Sequence, residues 1–179
     1  MKHPIITVFG SGCVKESESE YRRAHELGFC LARRNFTVCT GGYFGVMEAA
    51  VRGAKEADGK TLGITLEHSK KKANGFIDRE IKVPTWQERL FKLIEVADGF
   101  VVCDGGTGTL TEIFTVWEMM NKEMLNKPMI FYGSFALSLL DFLRKNPFMI
   151  FNEQIIAAET PEKAAEYLVQ VVPGTKGTG

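Results

Sequence analysis

Apolar residues follow two alternating rhythms along the chain. Residues 5–9, 36–39, 61–66, 81–83, 99–103, 128–132 and 155–158 form short, largely continuous apolar runs, the pattern of strands buried on both faces. Between them the apolar positions recur every three or four residues, over 17–34, 45–56, 85–96, 109 to about 123, 134–144 and 161–170, which predicts helices. In the first of these Tyr21, Ala24, Leu27, Gly28 and Leu31 share a face. In the third, Trp86, Leu90, Leu93, Ile94 and Ala97 make the stripe expected to be buried, with Arg89 near its edge. In the fourth, Leu110, Ile113, Phe114, Trp117, Met120 and Met124 form the stripe expected to face the sheet, while Val116 and Met119 are apolar off it. So wide an apolar arc predicts a helix buried on two sides, and hence a homodimer.

Strands alternating with helices give an α/β fold, a doubly wound and mostly parallel sheet with helices on both faces, in one Rossmann-like domain over residues 1–172. Residues 173–179 are expected to be a disordered tail. In such sheets ligands bind beyond the carboxyl ends of the strands. Three glycine-bearing loops fall there: Gly10-Ser11-Gly12, Gly41-Gly42, and Gly105-Gly106-Thr107-Gly108.

Composition narrows the function. The 179 residues carry 22 basic and 22 acidic side chains, a net charge of zero, and no long basic run, which removes the electrostatic footprint of a nucleic-acid binder. The apolar start at residues 5–9 is too short for a signal-peptide core or a membrane span. A cytoplasmic protein that does not engage membranes is expected. Cys13, Cys30, Cys39 and Cys103 show no C-x-x-C spacing, and with only three histidines they predict free thiols and no metal site. Cys13 alone falls in a loop.

Two familiar nucleotide signatures fail. A dinucleotide fingerprint needs glycine three residues after Gly12, where Lys15 stands. The segment Ala54-Lys55-Glu56-Ala57-Asp58-Gly59-Lys60-Thr61 matches a relaxed phosphate loop, but it leads from a helix into a strand, the reverse of the working arrangement. Gly105-Gly106-Thr107-Gly108-Thr109 has the right setting, following the most apolar strand and opening a helix. Glycines admit a ligand close to the backbone, successive N–H groups form an anion-binding concavity, and the helix dipole favours negative charge. Thr107 and Thr109 add hydroxyls. Glu112 has two readings: with Thr109 it has the spacing of a capping box, or it is a carboxylate placed beside a bound sugar phosphate. Arg89 reads as a solvated or salt-bridged face residue, and Lys70-Lys71-Lys72 as a solvated loop.

Taken together, Phe9-Gly10-Ser11, Thr40-Gly41-Gly42-Tyr43-Phe44-Gly45-Val46-Met47-Glu48, Arg89, and Asp104-Gly105-Gly106-Thr107-Gly108-Thr109-Leu110-Thr111-Glu112 resemble the LOG family of cytokinin-activating nucleoside 5′-monophosphate phosphoribohydrolases, formerly described as possible lysine decarboxylases. The likeness runs over about residues 4 to 170. It implies a Rossmann-like dimer that needs no cofactor and hydrolyses an AMP-like nucleotide to free base and ribose 5-phosphate. It implies catalytic roles for Glu112 and Arg89, and substrate binding by Ser11, Gly41, Gly42, Met47, Glu48, Gly105, Gly106, Thr107, Gly108 and Thr109. The sequence departs from the family at Asp104, where proline is usual, at Leu90 for lysine, at Tyr43 for glycine and at Cys13 for arginine. Decarboxylation through pyridoxal phosphate lacks a positioned Schiff-base lysine, since Lys15 is the one lysine near these loops. The alternative function is a carrier of a nucleotide or other phosphate-bearing cofactor.

Overall fold

A computed structural model describes residues 3–174; residues 175–179 of the expected tail lie outside the described residues. The chain runs β1 (Ile5–Phe9), α1 (Ser19–Arg33), β2 (Thr37–Thr40), α2 (Val46–Glu56), β3 (Thr61–Leu66), β4 (Arg79–Val83), α3 (Trp86–Val96), β5 (Gly99–Val102), α4 (Thr107–Asn121), β6 (Met129–Phe131), α5 (Ser134–Arg144), β7 (Ile155–Ala157) and α6 (Pro161–Val171). The seven strands form one sheet in the order β4-β3-β2-β1-β5-β6-β7, and every pairing is parallel. Each strand from β1 to β3, and β5 and β6, is almost entirely buried, as strands covered on both faces must be.

The chain starts at the centre of the sheet, builds outward through β2, β3 and β4, then returns to place β5 on the other side of β1, with Ile6 opposite Gly99. That reversal is the topological switch point, where a crevice opens at the strand ends. The loops after β1 and β5 border it.

Two cores flank the sheet. On one face Ala24, Leu27, Leu31, Ala50, Ala54 and Leu168 bring α1, α2 and α6 onto β1 and β2. On the other, Leu93, Ile94, Ile113, Trp117, Leu140 and Leu143 bring α3, α4 and α5 onto β5 and β6. The β3–β4 crossover is unusual in having no helix: residues 67–78 span it as a loop. Asp78 ties its end back to β3, accepting from the Thr61 N–H (2.9 Å) and pairing with Lys55 (2.7 Å).

Three expectations need correction. Trp86 is 48% exposed because it opens α3 ahead of the sheet; the true device there is a capping box between Thr85 and Glu88. On α4 the buried face is Thr109, Ile113, Val116, Trp117 and Met120. Phe114 and Met124, expected against the sheet, are instead exposed. Finally, α4 begins at Thr107, capped by Gly106 without a side-chain bond. Glu112 therefore sits in the second turn, beyond the reach of a capping box.

Candidate active site

The site forms where the ends of β1, β2 and β5 meet. Ser11 joins all three: its N–H donates to the Asp104 carbonyl after β5 (3.0 Å), and its carbonyl accepts from Val46 N–H at the start of α2 (2.9 Å). Its hydroxyl accepts from Cys13 N–H (3.1 Å), leaving Cys13 exposed in the loop.

The second glycine loop is shaped by Arg89. This arginine is drawn beneath the loop from α3, donating through Nε to the Ile64 carbonyl (2.8 Å) and through Nη2 to the Gly41 carbonyl (2.9 Å). Its guanidinium lies 5.3 Å from the Tyr43 ring centre, and Met47 Sδ is 4.0 Å from Nη2. A Cβ at Gly41 would overlap the guanidinium, so glycine here makes room for arginine. Gly42 has φ +78°, a left-handed conformation open to glycine at little cost. Its carbonyl accepts from both the Asn74 backbone N–H (2.9 Å) and side-chain amide (3.2 Å), and that amide also donates to the Tyr43 carbonyl (2.6 Å). The buried Asn74 thus anchors this loop from the β3–β4 crossover.

Arg89 is accordingly no solvated face residue. Its partners are backbone carbonyls, invisible to side-chain pattern, and burial lowers its pKa while the Glu112 charge raises it. Glu112 is half-buried on α4. Among the described residues its carboxylate has neither a hydrogen bond nor an ion pair. Burial pushes its pKa from 4.5 up to about 7, against the pull of Arg89. A carboxylate held this way near neutrality, beside one half-buried cation, is poised for proton transfer or for stabilising a developing positive charge.

The third loop contributes backbone. Gly105 lies directly over the buried Thr109, whose side chain a Cβ would strike; Thr109 therefore packs under the loop. Gly106, Thr107 and Gly108 are exposed. Apart from chain neighbours and the nearby backbone of α4, no atom of the described residues lies within 4 Å of a Cβ built at Gly106 or Gly108, so no packing contact demands glycine at either. Glu48 accepts a hydrogen bond from the Tyr21 hydroxyl of α1 (3.1 Å), which ties its carboxylate to α1.

Sequence reasoning singled out Arg89, Gly41, Gly42 and Met47, and the structure brings them together, with Glu112 close enough for its charge to be felt. It missed Asn74 and the packing role of Tyr43. No group of three or more His, Cys, Asp or Glu among the described residues could hold a metal ion, and no described helix is long and apolar enough to cross a membrane.

An open, doubly wound sheet with paired glycine loops at its switch point defines a Rossmann-like protein. Residues 3–165 match the model of the SLOG cluster4 family, and the chain belongs to this LOG-like family. It is 31% identical to an uncharacterized protein of Archaeoglobus fulgidus, over 94% of this chain and 97% of that one. It is 33% identical to the cytokinin riboside 5′-monophosphate phosphoribohydrolase of Mycobacterium tuberculosis, over 52% of each. It is 29% identical to the pyrimidine/purine nucleotide 5′-monophosphate nucleosidase of Escherichia coli K12, over 54% of this chain but only 23% of that enzyme. The molybdenum cofactor binding protein of the phototrophic bacterium Rippkaea orientalis has a similar structure, with TM-score 0.78 and 27% identity, covering 96% of this chain and 99% of that one.

Proposed function

We propose that the protein hydrolyses the N-glycosidic bond of an adenine-type nucleoside 5′-monophosphate, releasing free base and ribose 5-phosphate. The observation that carries this reading is Glu112: a carboxylate with its pKa raised to about 7 and with no internal hydrogen-bond partner, on the helix that the third glycine loop opens. The Gly105–Thr109 backbone and the α4 N-terminus bind the 5′-phosphate. Glu112 lies five residues beyond Thr107, about 7–8 Å along the helix axis, a distance that lets one helix hold the phosphate and address the ribose.

As the bond from C1′ to the base breaks, positive charge develops on the ribose. The Glu112 carboxylate stabilises it or bonds to C1′ transiently. A water oxygen ends on C1′, and one of its protons leaves with the base. Arg89, with two donors already committed to carbonyls, helps ionise Glu112 through its charge instead of gripping the phosphate. The names of the two enzyme relatives support this reading.

The second reading is a non-catalytic carrier of a nucleotide or other phosphate-bearing cofactor. It is favoured by the match to a cofactor-binding protein along nearly the whole of both chains, where the nucleosidases match only about half of this one. Chromatographic detection of free base from a panel of nucleoside monophosphates separates the two. An enzyme releases base, and Glu112→Gln lowers that release by about a hundredfold or more while binding survives. A carrier binds and releases no base.

A further inference from the structure

The residue that opens the third glycine loop, Asp104, is the meeting point of four segments. Its backbone carbonyl accepts from Ser11 of the first loop (3.0 Å). One carboxylate oxygen, Oδ1, accepts from Ala136 N–H in the first turn of α5 (3.0 Å). The other, Oδ2, pairs with Arg23 Nη2 of α1 at 2.9 Å and accepts from the Ser134 hydroxyl at 3.4 Å. Gly133, at φ +116°, closes over the carboxylate so tightly that a Cβ there would meet it. The Asp104 side chain is only 11% exposed and Arg23 31%, so the pair is largely shielded from water.

Both carboxylate oxygens are therefore engaged by α1 and α5, the arrangement of an anchor and not of a second acid or base at the ribose. Its geometry points elsewhere. Gly105, Gly106 and Gly108 follow within four residues, and a Cβ added at Gly106 or Gly108 would meet no other segment among the described residues. Gly105 and Gly106, ahead of α4, have wide conformational freedom, and this turn must be held from outside if its N–H groups are to stay aimed at a ligand.

We propose that Asp104 is a positioning residue: through its ion pair with Arg23 and its bond to the α5 N-terminus it fixes the direction in which the Gly105–Thr109 backbone presents its donors to a phosphate. Where the resembled family uses the rigid ring of proline before its glycines, this chain uses a charged clamp to two neighbouring helices. The inference rests on the phosphate-loop reading above and applies to the enzyme and the carrier alike, since both grip a phosphate.

The test measures binding of AMP and of ribose 5-phosphate to the full-length protein by calorimetry, alongside thermal melts. Asp104→Asn keeps an acceptor for Ala136 N–H and removes the ion pair. Arg23→Gln attacks the same pair from α1 and leaves Asp104 to hold α5. Each should weaken binding of both ligands by at least about threefold, and the double variant should bind no worse than the weaker single one, as expected for partners in one interaction. Arg23→Lys, which restores the charge, should recover most of the affinity. If the reading as an enzyme holds, the same variants raise KM for the nucleotide with little change in kcat, because a phosphate grip is made equally in ground and transition states. Lower melting temperatures with unchanged affinity in both single variants would overturn the clamp and leave the phosphate loop standing. An unmutated protein that binds neither AMP nor ribose 5-phosphate would overturn the phosphate loop itself, and the clamp with it.

Discussion

At the scale of single residues, Glu112 makes a prediction whose sign is opposite to that of an ordinary surface carboxylate. Its folded-state pKa, about 7 against 4.5, lies above the unfolded one, so the folded state holds the proton more tightly. Ionising it costs folding free energy as pH rises from about 4.5 to 7. Glu112→Gln removes that cost. The variant should be as stable as the parent at pH 4 and more stable at pH 8, by on the order of 1–3 kcal/mol; a helix cap would show a loss instead. If the ionised carboxylate is the active form, kcat/KM of the unmutated protein should rise through about pH 7. Arg89→Met, which deletes the cation, should move that midpoint upward, while Arg89→Lys leaves it nearly in place and lowers kcat/KM through loss of the forked grip on two carbonyls. A midpoint unmoved by Arg89→Met would show that the two side chains do not act on each other.

Whole helices and loops show where the amino-acid pattern was readable. β3 and α5 fall at the residues their periodicity indicates, because Gly, Pro or charged residues bound them sharply. The start of α4 was obscured by glycine, which a propensity reading assigns to loop, although Gly106 caps the helix and Gly108 lies in its first turn. Its buried face was legible in part: Ile113, Trp117 and Met120 are buried as the periodicity indicates, but apolar residues off that stripe blurred its direction, and Val116 takes the place expected for Phe114. The glycine loops were visible from spacing alone. What holds them was not, since Arg89, Asn74 and Asp104 act through backbone groups of segments distant in sequence. The element-scale prediction concerns Gly108. Helical geometry and free space both permit alanine there, so Gly108→Ala should stabilise the protein by about 0.5–1 kcal/mol. In the same variant AMP affinity should fall by about tenfold or more, about 1.4 kcal/mol, as the new methyl group occupies the ligand's approach. Stability and binding moving in the same direction would place the ligand elsewhere.

For the molecule as a whole, the corrected orientation of α4 sharpens the expected self-association. Phe91, Leu110, Phe114, Met119 and Met124 line an open groove of about 790 Å³ on the outer side of α3 and α4. Phe91, Phe114 and Met124 are 54%, 39% and 69% exposed, an apolar cluster that a second chain can cover. A homodimer through this face is the expected state. Light scattering at micromolar concentration should give about twice the 20.0 kDa chain mass, and Phe114→Asp should return it to one chain. A parent protein that scatters as a single chain would remove the dimer.

The return of the chain to the middle of its sheet also governs when the site comes into being. Asp98 accepts a hydrogen bond from the Ile5 N–H, 93 residues earlier, and β5 cannot pair with β1 until nearly all the intervening chain exists. Closing so long a loop is entropically costly and slow. On the ribosome, the first two glycine loops emerge as a half-built cradle long before the strand that completes it. A ligand of this site therefore cannot guide the early steps of folding. It can only trap the finished product, so added ligand should slow unfolding and leave the rate of refolding almost unchanged.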